Sequence, residues 1–195
     1  MIPADERVVR LIQPTRDLHG ACLDLAREYE QVGDYRYLDA LDDFDAYISR
    51  LEAIERGEDV PDGRVPSSTF WLVVDGRVVA VSRLRDRLTA ELEREGGHIG
   101  YDVRPTERRR GYATRLLRLM LTKALERGLT RVLVTCDDDN VPSARVIEGN
   151  GGRLDGRVKS LRTGGDVRRY WIDVPAVLAN PRFQRTSPAS PDLGH

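Results

Sequence analysis

Arginine, glycine and small residues gather in one stretch: Val103-Arg104-Pro105-Thr106-Glu107-Arg108-Arg109-Arg110-Gly111-Tyr112-Ala113-Thr114. An apolar strand pattern ends just before it, and a helical pattern opens at Gly111. The first N–H groups of a helix have no intrahelical partner and carry about half a positive charge. Gly111 and Ala113 lack bulky side chains, so a phosphate group can approach the backbone. Arg108, Arg109 and Arg110 add charge and forked donors. The chemistry this suits is pyrophosphate binding; the same residues also suit an exposed basic turn with a helix cap. The segment has neither the G-x-x-x-x-G-K-[ST] of a P-loop nor the G-x-G-x-x-G of a dinucleotide site. Cys136 could be read as a nucleophile, but it ends a buried strand with no matching Cys-His spacing, which favours packing. Asp137-Asp138-Asp139 lacks the glycine and twelfth-position glutamate of a calcium loop, which favours turn and cap duty. No metal site is expected from three histidines and two cysteines so widely scattered.

The elements that must position these residues follow from periodicity. Arg7 to Ile12 reads as a strand stopped by Pro14. Leu18 to Val32 and Leu38 to Ile54 have helical apolar spacing, with glycine stops at Gly33 and Gly57. Phe70–Val74, Asp75-Gly76 and Arg77–Val81 form a hairpin signal, the Asp-Gly pair supplying the positive φ angles of a tight turn; its second strand runs on toward Leu88. Gly96 to Val103 is a further strand. Gly111 to Arg127 is the clearest helix, with Ala113, Leu116, Leu117, Met120, Leu121 and Ala124 on one face. Arg131–Cys136 is a β-branched buried strand and Pro142–Glu148 a short helix. Arg153–Leu161 and Val167–Val174 make a closing hairpin through Gly164-Gly165. The fold class is α/β, a mixed sheet of about seven strands flanked by helices in the order β-α-α-β-β-β-α-β-α-β-β. One domain is expected over 1–176, with a flexible tail over 177–195.

Composition bounds the function. The 195 residues carry 31 Lys+Arg and 32 Asp+Glu, a net charge of -1 that argues against a dedicated nucleic-acid binder. No stretch approaches the roughly 18 apolar residues of a membrane helix. The first ten residues are too charged for a secretory signal, and two cysteines indicate no disulfide framework, so a cytoplasmic protein is expected. The near-neutral sum hides two blocks: eleven acidic residues against three arginines from Glu28 to Asp59, and six arginines against one glutamate from Arg104 to Arg118. Opposite signs suggest ligands of opposite charge, or simply two solvated helix faces.

Arg108-x-x-Gly111-x-Ala113, following a strand and opening a helix, resembles the acyl-CoA pyrophosphate loop of the GNAT superfamily of N-acyltransferases. Asn140-Val-Pro-Ser143-Ala144-Arg-Val-Ile147-Glu-Gly-Asn150-Gly151 is similar to that family's N-x-x-[SA]-x-x-x-[Y]-x-x-x-G helix segment. The stretch Gly97 to Gly152 most resembles a bacterial subgroup of predicted acetyltransferases, and the element order matches the fold from about Val8 to Val174. The resemblance implies a bacterial acetyltransferase with acetyl-CoA as co-substrate and no metal, moving acetyl by direct attack to a small amine or peptide amine. It implies that Arg108, Arg109, Arg110, Gly111, Tyr112, Ala113 and Thr114 hold the pyrophosphate, and that Tyr101, Asp102 and Val103 pair with the pantetheine arm and polarise the thioester. Asn140 and Ser143 would touch pantetheine or cap the helix. The family's usual base falls near Gly97, leaving Glu95, His98 and Asp102 as candidates, His98 with a fitting unperturbed pKa of about 6.5. The usual thiol acid falls on Ile147, which cannot donate, leaving Tyr101, Tyr112 or water. The acceptor would enter near the first two helices, where Tyr29, Tyr35, Tyr37 and Trp71 could line a pocket and the acidic block suits a cationic amine. Neither a membrane nor a nucleic acid is an expected partner; a homodimer stays open. With Gly97 and Ile147 replacing the usual groups, the alternative function is a non-catalytic acyl-CoA-binding sensor.

Overall fold

Seven strands alternate with helices in a computed structural model that describes residues 8–184. The strands are β1 (Val9–Ile12), β2 (Ser68–Val74), β3 (Arg77–Leu84), β4 (Ile99–Val103), β5 (Arg131–Asp137), β6 (Arg153–Lys159) and β7 (Asp166–Asp173). The helices are α1 (His19–Gln31), α2 (Leu38–Asp42), α3 (Phe44–Arg56), α4 (Ala90–Arg94), α5 (Tyr112–Glu126), α6 (Val141–Gly149), α7 (Val174–Ala179) and α8 (Pro181–Gln184). The expected strand count and order are present. Hydrogen bonding divides the strands, however, into an antiparallel sheet β1-β2-β3-β4 and a second one, β5-β7-β6.

β2 shows why the larger sheet is covered on both faces. All seven of its residues are buried. With a period of two, Phe70, Leu72 and Val74 enter one core with Leu116, Leu117 and Met120 of α5. Trp71 and Val73 enter another with Leu25 and Tyr29 of α1 and Tyr47 and Ile48 of α3. Trp71, expected as a candidate pocket residue, is fully buried in that second core.

Three local departures have local causes. The expected helix over Leu38–Ile54 is two helices, because Asp43 turns extended and its side chain accepts the Ala46 N–H as the cap of α3. Thr89 caps α4 by accepting the Leu92 N–H, so the strand expected to approach Leu88 gives way to a short helix. At the C-terminal end, where a tail was expected from 177, Asp173 caps α7 and Val177 packs into the main core. The tail's last part, 185–195, lies outside the described residues.

The seam between the sheets positions the site. The His98 N–H donates to Leu133 O at 2.8 Å, and the Leu133 N–H donates to His98 Nδ1 at 2.9 Å. Gly97 makes this approach feasible: its φ is +64°, and a Cβ there would collide with the Leu133 carbonyl. Beyond the seam β4 and β5 are not paired with each other. Two strands joined at one end and apart at the other leave a wedge.

Candidate active site

The wedge holds a cavity of about 350 Å³, with Ile99, Gly100 and Tyr101 of β4 on one side and Thr135, Cys136 and Asp137 of β5 on the other. Its further walls include Asn140 and Ser143 at the start of α6, Glu95, and four arginines: Arg36, Arg64, Arg85 and Arg162. The β4 edge is a ready hydrogen-bonding surface. The Arg104 N–H donates to Val79 O on β3, while Val103 O accepts from the Arg108 side chain. Alternation along an antiparallel strand therefore turns the N–H groups of Tyr101 and Val103 away from β3, toward the open wedge.

The arginine-rich turn follows β4 directly. Arg109 has φ +63° and Gly111 φ +80°, so left-handed residues alternate along the turn and gather backbone N–H groups into a concave, anion-receiving shape. Gly111 is the N-cap of α5 and contributes no side-chain cap. No Cβ would meet a neighbour at Gly111, so the approach to the helix start is open. The arginines divide by task. Arg104 is buried and lies 3.0 Å from Glu28, docking α1 against the turn. Arg108 Nε ties the turn to Val103 O at 3.2 Å, and Arg110 pairs with the buried Glu107 at 3.1 Å. Arg109 is exposed.

At the throat of the wedge the Tyr101 and Ser143 hydroxyls are 2.9 Å apart. Burial pushes the Tyr101 phenol up to about 12, so it holds its proton at neutral pH. Ile147, one turn further along α6, is fully buried core. Asn140 caps α6, its Oδ1 accepting the Ser143 N–H at 3.1 Å, and so fixes the serine. Burial pushes the Cys136 thiol up to about 11, which keeps it protonated and a poor nucleophile.

The three carboxylate and imidazole candidates are separated. His98 is not placed as a base: its Nδ1 accepts the Leu133 N–H, and burial, then nearby Arg85, lower its pKa. Asp102 lies on the α1 face of β4, accepting from Tyr29 Oη at 2.6 Å and Tyr37 Oη at 2.8 Å, with Arg36 at 3.5 Å. Tyr29 and Tyr37 thus hold the β4 end of the wedge to α1 and α2, while Tyr35 is exposed. Glu95 is buried and accepts the Leu161 N–H at 3.2 Å; its hydrogen bond to Ser160, outweighing burial, and then Arg162 keep it ionised. It anchors the β6–β7 loop to the cavity wall. Asp138 binds Arg157 and Arg168, a structural role. Among the described residues no group of three His, Cys, Asp or Glu could hold a metal ion.

Sequence reasoning missed the cavity arginines. Arg85 directly follows β3, two residues after Arg83, which pairs with the cavity-lining Gly100; that i, i+2 spacing in an extended run was the available signal. The acidic block also reads differently in space. Glu28, Asp34, Asp39, Asp45, Glu52, Glu55, Glu58 and Asp59 each lie within ion-pair distance of an arginine. None of its eleven carboxylates lines the cavity. The block that suggested a cationic acceptor therefore does not reach the wedge, whose lining carries four arginines against Glu95 and Asp137.

A free strand edge that can pair with an extended thioester arm, leading to a helix start that can take its phosphates, is how acyl-CoA-dependent acyltransferases hold their donor, and this chain is of that class. The model of the acetyltransferase (GNAT) family matches residues 21–151, and the chain belongs to that family. It is accordingly an acetyl-CoA-dependent acyltransferase. Solved structures agree on the fold. RimJ of Mycobacterium smegmatis in complex with CoA-disulfide is 20% identical, with a TM-score of 0.70 over 91% of this chain and 87% of that one. The ribosomal L7/L12 alpha-N-protein acetyltransferase RimL with coenzyme A is 17% identical, TM-score 0.63, covering 85% and 95%. The microcin C7 self-immunity acetyltransferase MccE with acetyl-CoA and AMP is 13% identical, TM-score 0.61, covering 84% and 91%. No curated protein matches the sequence. No helix among the described residues is long and apolar enough to cross a membrane.

Proposed function

We propose that the chain transfers acetyl from acetyl-CoA to an amine by direct attack within a ternary complex. The observation that carries this reading is the wedge itself, with a hydroxyl pair at its throat and open strand edge leading to the arginine turn. The backbone of Arg109 to Thr114 takes the pyrophosphate, and the Tyr101 and Val103 edge pairs with pantetheine. Donors on that edge stabilise the oxyanion that forms when the amine attacks the thioester carbonyl. As the tetrahedral intermediate collapses, the C–S bond breaks and the thiolate takes a proton through the Ser143 and Tyr101 hydroxyls. Tyr101 suits this because it is protonated at every physiological pH. The amine loses its proton to water in the cavity. Nearby arginines favour the neutral amine over the ammonium, so Gly97, Ile147 and the engaged His98 leave no mechanistic gap.

Thiol release from acetyl-CoA, followed with small amines, amino acids and peptides, tests the reading. Amine-dependent release with mass-confirmed N-acetyl product supports it. Tight acetyl-CoA binding with no release above hydrolysis for any amine overturns it in favour of an acyl-CoA sensor.

A further inference from the structure

Arginine side chains usually find carboxylates when they sit this close together; three here do not. Arg64, Arg83 and Arg85 have no ion-pair partner among the described residues. Arg85 is half-buried, and its Nη1 donates to the Gly97 carbonyl at 3.0 Å. Burial, then Arg83, then Arg64 pull its pKa down to about 10, the mark of crowded positive charge without a counterion. The other two cavity arginines are answered: Arg36 by Asp34 at 2.6 Å and Arg162 by Glu95 at 3.6 Å. Asp137 is the remaining lining carboxylate, exposed at the β5 rim.

The position of the cluster matters as much as its charge. Arg83 pairs with Gly100 across β3 and β4, and Arg85 Nη1 lies 4.0 Å from where a Cβ on Gly100 would sit. The missing side chain at Gly100 opens the cluster to β4 one residue before Tyr101. The arginine turn that receives the donor's phosphates lies past the other end of β4, and none of its residues lines this cavity. The unanswered charge therefore faces the acceptor's side of the wedge.

We infer that the acceptor is an amine that carries a carboxylate or phosphate, and that Arg64, Arg83 and Arg85 bind that anionic group while the amine points to the thioester. This rests on the reading of the wedge as an amine acetylation site. An anion supplies the missing counter-charge, and the planar guanidinium forks suit either oxyanion.

The test pairs turnover with binding. Acetylation is measured for ethanolamine against phosphoethanolamine and putrescine, and for the peptides Ala-Glu-Glu, Ala-Gln-Gln and Ala-Lys-Lys. The anionic member of each set is expected to have at least tenfold higher kcat/KM than the neutral one, and the cationic member the lowest; the set with the larger gap distinguishes phosphate from carboxylate. R64Q and R83Q are expected to erase most of the charge preference while leaving acetyl-CoA binding within about twofold. R64E is expected to reverse the ranking. Equal or faster turnover of the cationic amines by the native protein overturns the inference. Calorimetric titration of the same compounds into CoA-loaded protein separates the two readings. Selective binding of the anionic compounds, lost in R64Q, without acetylation of any amine sinks the acetylation reading and keeps the anion site. Acetylation without anionic preference does the reverse.

Discussion

Replacing His98 by leucine separates a clamp from a base. The imidazole Nδ1 accepts the Leu133 N–H at 2.9 Å in a buried seam. Leucine keeps the bulk but leaves that N–H unsatisfied, a cost of about 1–3 kcal/mol. For a domain of this size each kcal/mol lowers Tm by roughly 2–4 °C, so a loss of about 4–8 °C is expected near pH 8. The wild-type protein should show the same dependence on protonation. Burial and Arg85, just past the end of β3, lower the His98 pKa, with Asp86 and Glu93 partly opposing them and Trp171 of β7 packed nearby. A protonated Nδ1 would face the Leu133 N–H donor to donor. Because the native pKa lies below the unfolded value of about 6.5, the unfolded chain binds more protons in between. This stabilising contribution is therefore full above about pH 6.5 and lost as pH falls through the lowered native value. Denaturant melts at pH 8, 7, 6 and 5 should show the loss in the wild type, and H98L should lack this component. The activity of H98L at pH 8 is expected within about threefold of wild type. A loss of a hundredfold or more in kcat with unchanged Tm, the size expected for a missing general base, would refute the clamp.

Other substitutions probe the remaining parts. G97A places a Cβ against the Leu133 carbonyl at a left-handed φ, so it should cost about 2–4 kcal/mol through strain and lost seam bonds, seen as a Tm drop and weaker acetyl-CoA binding by calorimetry. G111E puts a carboxylate at the α5 start, where a Cβ has room but φ is +80°; CoA affinity should fall at least thirtyfold with circular dichroism unchanged. Y101F and S143A should each lower kcat by roughly ten- to a hundredfold through loss of proton delivery, with the acetyl-CoA KM little changed. D102N weakens the hold on Tyr29, Tyr37 and Arg36 and should cost about 1–2 kcal/mol in urea melts.

What could be read from the chain depended on how far apart the partners lie in sequence. The α5 face and the Asp75-Gly76 hairpin are written in local periodicity, and both formed as expected. The open backbone at Gly111 was legible because a small residue at a helix start has a local meaning, whereas Ser143 was singled out only by the resemblance of its segment. The seam was not legible, because His98 and Leu133 are brought together only after α5 crosses between them. Nor was the fate of the acidic block: Glu55 meets Arg127, and Glu28 meets Arg104, across more than seventy residues each. Charge counted along the chain cannot register that neutralisation. Arg83 and Arg85 show the converse, a pair that looks ordinary in sequence and becomes an unanswered charge once β4 presents Gly100 beside it.

The seam also constrains which amine can react. The close approach that joins the sheets forbids a side chain at Gly97 and engages His98, so the wedge gains its rigid apex where a base would otherwise stand. The amine must then arrive neutral, helped by whatever positive field remains. An anionic group seated on Arg64, Arg83 and Arg85 answers part of that field, which weakens its hold on the amine's pKa. A lysine-like amine, with a pKa of about 10.4, would then be almost wholly protonated at pH 7.5. A peptide α-amine, at about 7.7–8.0, would be roughly one-third free. The difference is a few hundredfold in reactive fraction, larger than the gain in free amine that the remaining arginines would give an alkylamine. Among anionic acceptors the wedge should therefore prefer an α-amine to an alkylamine. Its kcat/KM for Ala-Glu-Glu should rise with pH to a plateau above about pH 8, with one inflection at the amine's own pKa. A second inflection, absent from the titration of the free peptide and retained in H98L, would show that a side chain in the wedge acts as a base after all.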